Sequence, residues 1–311
     1  MSTRSAQNAA VRGAELRRQI ARFLLDVDVG ERLPTVRDLA TANKASYGSV
    51  QAVLGRLEDD GVIVVVRRGW LGAYLESRSL LRLWEAAEGA PLIVALPLPS
   101  NLRGQGLATG IKTVLSDAGF DTFMTFIRGS RNRLRALRDG RCHVVVMSRF
   151  AARLECGHDE HVAAVLEPQT FAQERRVFFS EKTAPTDRPL RVVVDRDSAD
   201  LQRLAELEFA DQDVEFVPAI YMQFVGLIES GQADAAVWDL DETTARLSPR
   251  IRSRSLSERV RLEVHDDDTR VALVTRLGDA PATSVVKRFL SDSSIARIQR
   301  SVVDGTLVPG Y

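Results

Sequence analysis

Cysteine is nearly missing from this sequence: among 311 residues there are two, Cys142 and Cys156. That excludes a disulfide-built scaffold and points to a reducing compartment, the cytoplasm. Long apolar runs are missing too. The longest, APLIVALPLP at 90–99, contains three prolines and is about half of the ~20 residues a membrane span needs. The first residues are polar and basic with no apolar stretch behind them, so no secretory signal is expected. An excess of one charge is absent, since 42 Lys and Arg balance 42 Asp and Glu. The signatures of common chemistry are lacking as well: no G-x-S-x-G elbow, no P-loop and no dinucleotide G-x-G-x-x-G, because Gly104-x-Gly106-x-x-x-Gly110 places its last glycine one residue late.

What is present is an ordinary globular composition, 45% hydrophobic, on a chain long enough for about two domains. The neutral total conceals a gradient. Residues 1–78 carry 12 Lys and Arg against 9 Asp and Glu, and the remainder carries 30 against 33. A basic head on an acidic body suits a polyanionic partner for the head.

The head reads as three helices and a hairpin. Leu16, Ile20, Phe23 and Leu24 share one face, and Gly30 and Pro34 interrupt it. Thr35 is placed to cap a short helix with Val36, Leu39 and Ala40 inward. Ser46 is placed to cap a third, whose Val50, Val53, Leu54 and Leu57 form an apolar stripe that stops at Gly61. Two short β-branched or aromatic runs, 62–66 and 70–75, flank a turn at Arg67, Arg68 and Gly69. This is the order of a winged helix-turn-helix. Its third helix enters the major groove of double-stranded DNA with Tyr47, Gly48 and Gln51 outward, and its hairpin approaches the backbone or minor groove. A small helical domain that binds protein would read the same on pattern alone.

The stretch LPTVRDLATANKASYGSVQAVLGRLEDDGVIVVVRRGWLGAYL resembles the DNA-binding head of GntR-type repressors. The resemblance implies DNA-contacting roles for Arg37, Ser46, Tyr47, Ser49 and Gln51, and for Arg68 and Gly69 at the wing. Arg67, by its place at the hairpin tip, is expected to approach the backbone or minor groove with Arg68. Tyr47 and Gln51 stand where many relatives place arginines.

After a connecting helix at 79–89, residues 90–311 alternate strands and helices, the pattern of an α/β domain with largely parallel sheets. Ligands in such sheets bind beyond the carboxyl ends of the strands. Those ends carry Pro97, Pro99 and Ser100, with Thr109 in the helix that follows. They continue with Arg128, Gly129 and Ser130, then Ser148 and Arg149, Asp195 and Ser198, and Trp238 and Asp239. Hydroxyls, glycines and arginines so placed suit an anionic or zwitterionic small molecule, although polar residues are common in any loop.

The passages ALPLP, GLATGIK, IRGS, VVVMSRFAA, DRDSAD, ADAAVWD and VVDGTLVPGY resemble the C-terminal domain of the YhfZ-type GntR-like regulators. The resemblance implies a bilobed periplasmic-binding-protein-like fold of the second type. The chain would cross to the second lobe near 171–178 and return near 269–275, and its last helix would join the first lobe.

Two clusters invite a metal. Cys156, His158 and His161 offer three ligands without a second pair, so a solvated loop is expected there; His265-Asp266-Asp267-Asp268 is expected to be a solvated turn before a strand. The expectation is a ligand-responsive, non-enzymatic transcription regulator without cofactor or metal. It would bind operator DNA as a homodimer and sense a small effector in its cleft. The alternatives are an enzyme on this fold with an accessory winged helix, or a dimeric scaffold whose cleft has lost its ligand.

Overall fold

The computed structural model describes every residue except 1, 90, 182–187, 242, 243, 245–248 and 292, and the side chains of 2–10 are also left undescribed. It divides into two compact units, one of residues 1–91, 118–121 and 278–288, the other of the remainder.

In the first unit, α1 (Ser2–Asp26), α2 (Val36–Ala42) and α3 (Tyr47–Asp59) precede the hairpin β1 (Ile63–Arg67) and β2 (Ala73–Arg78). The caps sit where the sequence places them. Thr35 and Asp38 form a reciprocal capping box at α2, and the Ser46 hydroxyl accepts from the Ser49 amide at the start of α3. Ile20, Leu24, Leu39, Val50, Leu57, Ile63 and Leu75 make one core beneath them. The hairpin differs from expectation at its tip, where a 3-10 turn at Gly69–Leu71 separates the strands and the second strand runs on to Arg78. The connecting helix α4 (Leu80–Ala87) adds Leu83 and Ala87 to this core, and Trp84 meets Phe120 edge-on. Ser284, in the segment 278–288, donates to the Leu25 carbonyl at 2.7 Å. The helical head therefore recruits two short pieces from the later sequence.

The second unit has two lobes, each built on a five-stranded sheet. In lobe I, β3 (Leu92–Leu96), β4 (Thr122–Phe126) and β5 (Val144–Ser148) run parallel, and β12 (Val271–Arg276) and β6 (Glu160–Val165) complete the order β4-β3-β5-β12-β6. In lobe II the order is β11-β7-β10-β8-β9, with β8 (Leu190–Val194), β9 (Val214–Pro218) and β10 (Ala235–Asp239) parallel. Two antiparallel strands, β7 (Arg175–Ser180) and β11 (Ile251–Ser255), close its other edge. The chain crosses between lobes twice, after β6 and before β12. The two crossings are tied together by Phe171 N to Thr269 O and by Val271 N to the Thr170 hydroxyl. This is the bilobed binding-protein fold that the sequence motifs imply.

The glycines of the first body helix serve packing. A Cβ on Gly106 of α5 (Leu102–Asp117) would lie 2.9 Å from the Gln299 carbonyl, and one on Gly110 would lie 3.0 Å from that of Ile295. Both partners belong to α12 (Ser294–Val303), the last helix, which thus joins lobe I as expected.

Two sequence expectations need correction. Glu160 and His161 begin strand β6 rather than continuing a loop, and Glu160 is buried against Arg138, with a 2.6 Å hydrogen bond. The acidic turn is not solvated either. Asp267 and Asp268 are both buried, because Asp267 is held by Arg149 and Arg153 and Asp268 lies in the field of the buried Arg175. No three metal-ligating side chains cluster among the described residues.

Candidate functional site

On the head, the buried stripe of α3 leaves its opposite side bare. Ser46, Tyr47, Gly48, Ser49 and Gln51 are all exposed, as is Arg37 in the first turn of α2. The hydroxyls of Ser46 and Ser49 bond each other at 2.8 Å, so Ser46 serves first as the helix cap. The two wing arginines differ. Arg67 is gripped by Glu58 of α3 through two hydrogen bonds of 2.9 and 2.6 Å, an ion pair that offsets its charge. Arg68 instead stacks over the Tyr74 ring, 4.8 Å from its centroid, with its charge still in solvent. Gly69 at the tip adopts a left-handed conformation, φ 57°. Arg37, Tyr47, Gln51 and Arg68 are thus open for contact, whereas Arg67 anchors the wing to the helix.

In the body, the carboxyl ends of both sheets face one another, and the residues there bond directly across the lobes. Arg128 follows β4, and its Nη1 donates to both Asp195 oxygens at 2.7 and 2.6 Å while Nη2 reaches Asp197. Gly129 precedes α6 (Ser130–Arg138) with φ 78°; a Cβ there would meet Asp197 at 2.5 Å, so only glycine admits the opposing loop. The helix ends cap each other reciprocally. The Arg131 amide of α6 donates to the Asp197 carbonyl, and the Ala199 amide of α8 (Ala199–Glu208) donates to the Ser130 hydroxyl, both at 3.0 Å. Ser148 caps α7 (Arg149–Glu155) and donates to Asp200 at 2.7 Å, and Asn101 donates to Asp241 at 2.8 Å.

Behind this seam lies a buried charge cluster. Arg175 bonds Asp239 and Asp200, and burial pushes Asp268 up to about 6, opposed by that same guanidinium. The aromatic Trp238 stacks on Tyr221, 4.4 Å between centroids, as part of lobe II. Both cysteine thiols are pushed up to about 11 by burial, which makes them poor nucleophiles at neutral pH.

The structure thus brings Arg128, Gly129, Ser130, Ser148 and Asp195 to the seam between the lobes, while Asp239 lies in the charge cluster behind it on Arg175. Ser198 is buried at the head of α8, Pro97 and Pro99 are half-buried and Ser100 is exposed at the end of β3. Thr109 is elsewhere: its hydroxyl donates to the Gln105 carbonyl and accepts from the Gly310 amide. Arg149 turns towards Asp267 at 3.1 Å. The sequence reading missed Asp197, Asp200 and Arg175, whereas Asn101 stands with Ser100 at the end of β3, where ligand contacts were expected. The missed residues sit among other charges, Arg175 between Glu174 and Arg176 and Asp200 at the end of DRDSAD, so the local sequence did not single them out.

The model described as the YhfZ C-terminal domain matches residues 80–311, and one described as a helix-turn-helix domain matches residues 28–75. The chain belongs to the YhfZ family. It is 28% identical over 293 residues to the uncharacterized protein YhfZ of Escherichia coli (strain K12), covering 94% of this chain and 95% of that one. It is similar to the crystal structure of YhfZ from Shigella flexneri at a TM-score of 0.58 and 26% identity, over 71% of this chain and 93% of that one. A double mutant of the VFT2 domain of BvgS from Bordetella pertussis matches at a TM-score of 0.50 and 18% identity, over 70% and 95% of the two chains. That last likeness is one of fold. No helix among the described residues is long and apolar enough to cross a membrane.

Proposed function

We propose that this protein is a ligand-responsive transcription regulator. The reading rests on one conjunction. An exposed row from Ser46 to Gln51, with Arg37 beside it on α2 and Arg68 on the wing, lies in the same chain as a two-lobed clamp with an arginine at its seam. The head reads double-stranded DNA through the start of α3. Gln51 is suited to an adenine edge and Tyr47 to a phosphate or a thymine methyl, while Arg37 and Arg68 hold the backbone. One such helix covers half a site, so the working species is a homodimer in the cytoplasm.

The effector is a small anionic or zwitterionic metabolite taken between the lobes, with Arg128 and the amides at the start of α6 for its acid group. Asp195 and Asp239 would serve a cationic group. Binding requires the effector to replace Asp195 and Asp197 at Arg128, so occupancy and lobe contact are linked. Coupling of this type is worth ~1–3 kcal/mol, enough for a 5–150-fold change in operator affinity.

Retardation of the DNA upstream of its own coding sequence, at two salt concentrations, tests the head. A thermal-shift screen of carboxylates, amino acids and phosphate esters on wild-type and R128A protein tests the clamp. Salt-sensitive retardation, together with a stabilising compound that R128A ignores, is the expected outcome. Absence of retardation at low salt overturns the DNA reading, and a compound that stabilises both proteins equally overturns the role of Arg128.

A further inference from the structure

Trp70 at the wing tip is 91% exposed, the barest large apolar side chain described. An indole carries a large apolar area, and water around it is a standing cost unless a partner covers it. The tip is constructed to hold it out. Gly69 and Gly72 bracket the 3-10 turn with φ of 57° and 99°, and the turn is closed by Arg68 N to Gly72 O at 2.8 Å and Leu71 N to Arg68 O at 3.1 Å. A Cβ at Gly72 would strike the Arg32 guanidinium at 2.7 Å, so that arginine lies against the base of the turn. Arg68, two residues before Trp70, is stacked on Tyr74. Arg32 and Arg68 are both exposed, and the neighbouring Arg67 is already matched by Glu58.

We propose that Trp70 is an apolar wedge that enters the minor groove of duplex DNA, with Arg32 and Arg68 on phosphates beside it. The inference rests on the DNA-binding reading and goes beyond it by assigning a recognition mode, apolar insertion, to a residue outside the expected contact set. The occupant follows from the company the indole keeps. An exposed apolar plate with two exposed guanidiniums at the base of its turn suits a slot with anionic walls and a sugar-and-base floor, and minor-groove proteins insert apolar side chains in this way.

The test uses full-length protein and duplexes selected on the wild type from a randomised pool. Because Trp70 touches little, W70A should melt at the wild-type temperature while binding roughly ten- to hundredfold more weakly, the effect expected of losing one aromatic stack on a base. Its slope of log affinity against log salt should not change, since no charge is lost, whereas R68A should flatten that slope by about one. W70F should recover most of the affinity. Methylation interference should show adenine N3 contacts, which lie in the minor groove, lost in W70A, with guanine N7 contacts in the major groove retained.

W70A binding as tightly as wild type overturns the wedge while leaving the DNA reading intact. So does a W70A protein that is unchanged on DNA but dissociates into monomers, which would make a second copy the occupant. A wild type that selects no duplex overturns both.

Discussion

Arg128 and Asp195 hold each other across the two lobes, one guanidinium nitrogen spanning both carboxylate oxygens at 2.7 and 2.6 Å. Asp195 is almost wholly buried and Arg128 is about a quarter exposed. The pair therefore sits where water neither fully screens the attraction nor cheaply replaces a lost partner. An anion that binds Arg128 has to outcompete a carboxylate already in place.

Removing one side of that pair should cost more than removing both. R128A strands a buried carboxylate and should lose ~1–3 kcal/mol of stability, discounted from a fully buried pair because Arg128 is partly solvated. D195A leaves Arg128 its bond to Asp197 and should lose less, and the double variant should recover part of the R128A loss. Urea unfolding of the four proteins of the cycle measures this. Strict additivity would mean that the two residues are not energetically coupled.

The neighbouring arginines of the wing should separate on DNA. Arg68 presents its charge to solvent and Arg67 is neutralised by Glu58. R68A should therefore lower the salt slope of DNA affinity by ~1, and R67A should leave it nearly unchanged. Equal slopes for the two variants would contradict the assignment.

Two glycine-to-alanine changes should move stability in opposite directions. At Gly106 the new methyl meets a backbone carbonyl of α12 at 2.9 Å, and backbone does not yield cheaply, so G106A should lose ~1–3 kcal/mol. At Gly55, within α3, nothing lies within 4 Å, and alanine is the better helix former by ~1 kcal/mol, so G55A should raise the melting temperature. A G106A protein as stable as wild type would show that α5 and α12 separate easily.

Asp268 should give stability a pH signature. Burial raises its folded pKa to about 6, against the pull of Arg175 and with Asp200 and Asp266 adding to the rise. The ordinary unfolded value is ~3.9. The unfolded chain thus releases this proton first as pH climbs. The stabilisation is complete below about pH 4, declines between 4 and 6, and is gone above 6. D268N, which never ionises, should gain at most ~2–3 kcal/mol over wild type at pH 7 and no advantage at pH 4. Thermal melts across that range read it out, and a D268N protein less stable than wild type at pH 7 would refute it.

Much of the fold was legible because its determinants are local. Thr35 and Ser46 cap the helices they precede, the Val50–Leu57 stripe turns inward, and LIVAL and VVVMS are buried strands. Each follows from side-chain periodicity and short-range hydrogen bonding, which act within a few residues along the chain. The candidate site was legible only as strand ends. Thr109 was expected at the ligand, but its hydroxyl is taken by its own helix and by residue 310. Arg67 and Arg68 are chemically identical, and only the position of Glu58, nine residues earlier, separates their roles. The acidic turn at 265–268 reads as solvated because three carboxylates in a row repel, until Arg149, Arg153 and Arg175 are brought to it from distant parts of the chain.

Element order, helix caps and the wing were therefore inherent in the linear pattern, since each depends on residues that are neighbours in the chain. The two-lobed plan was implied by the family resemblance and rests on strands paired across long separations. Which charges neutralise each other, which polar side chains remain open to a ligand, and that two helix ends cap one another across the lobes were decided by folding alone. Electrostatics and hydrogen bonding act over a few ångströms of space, and Arg128 and Asp195 lie 67 positions apart in the chain.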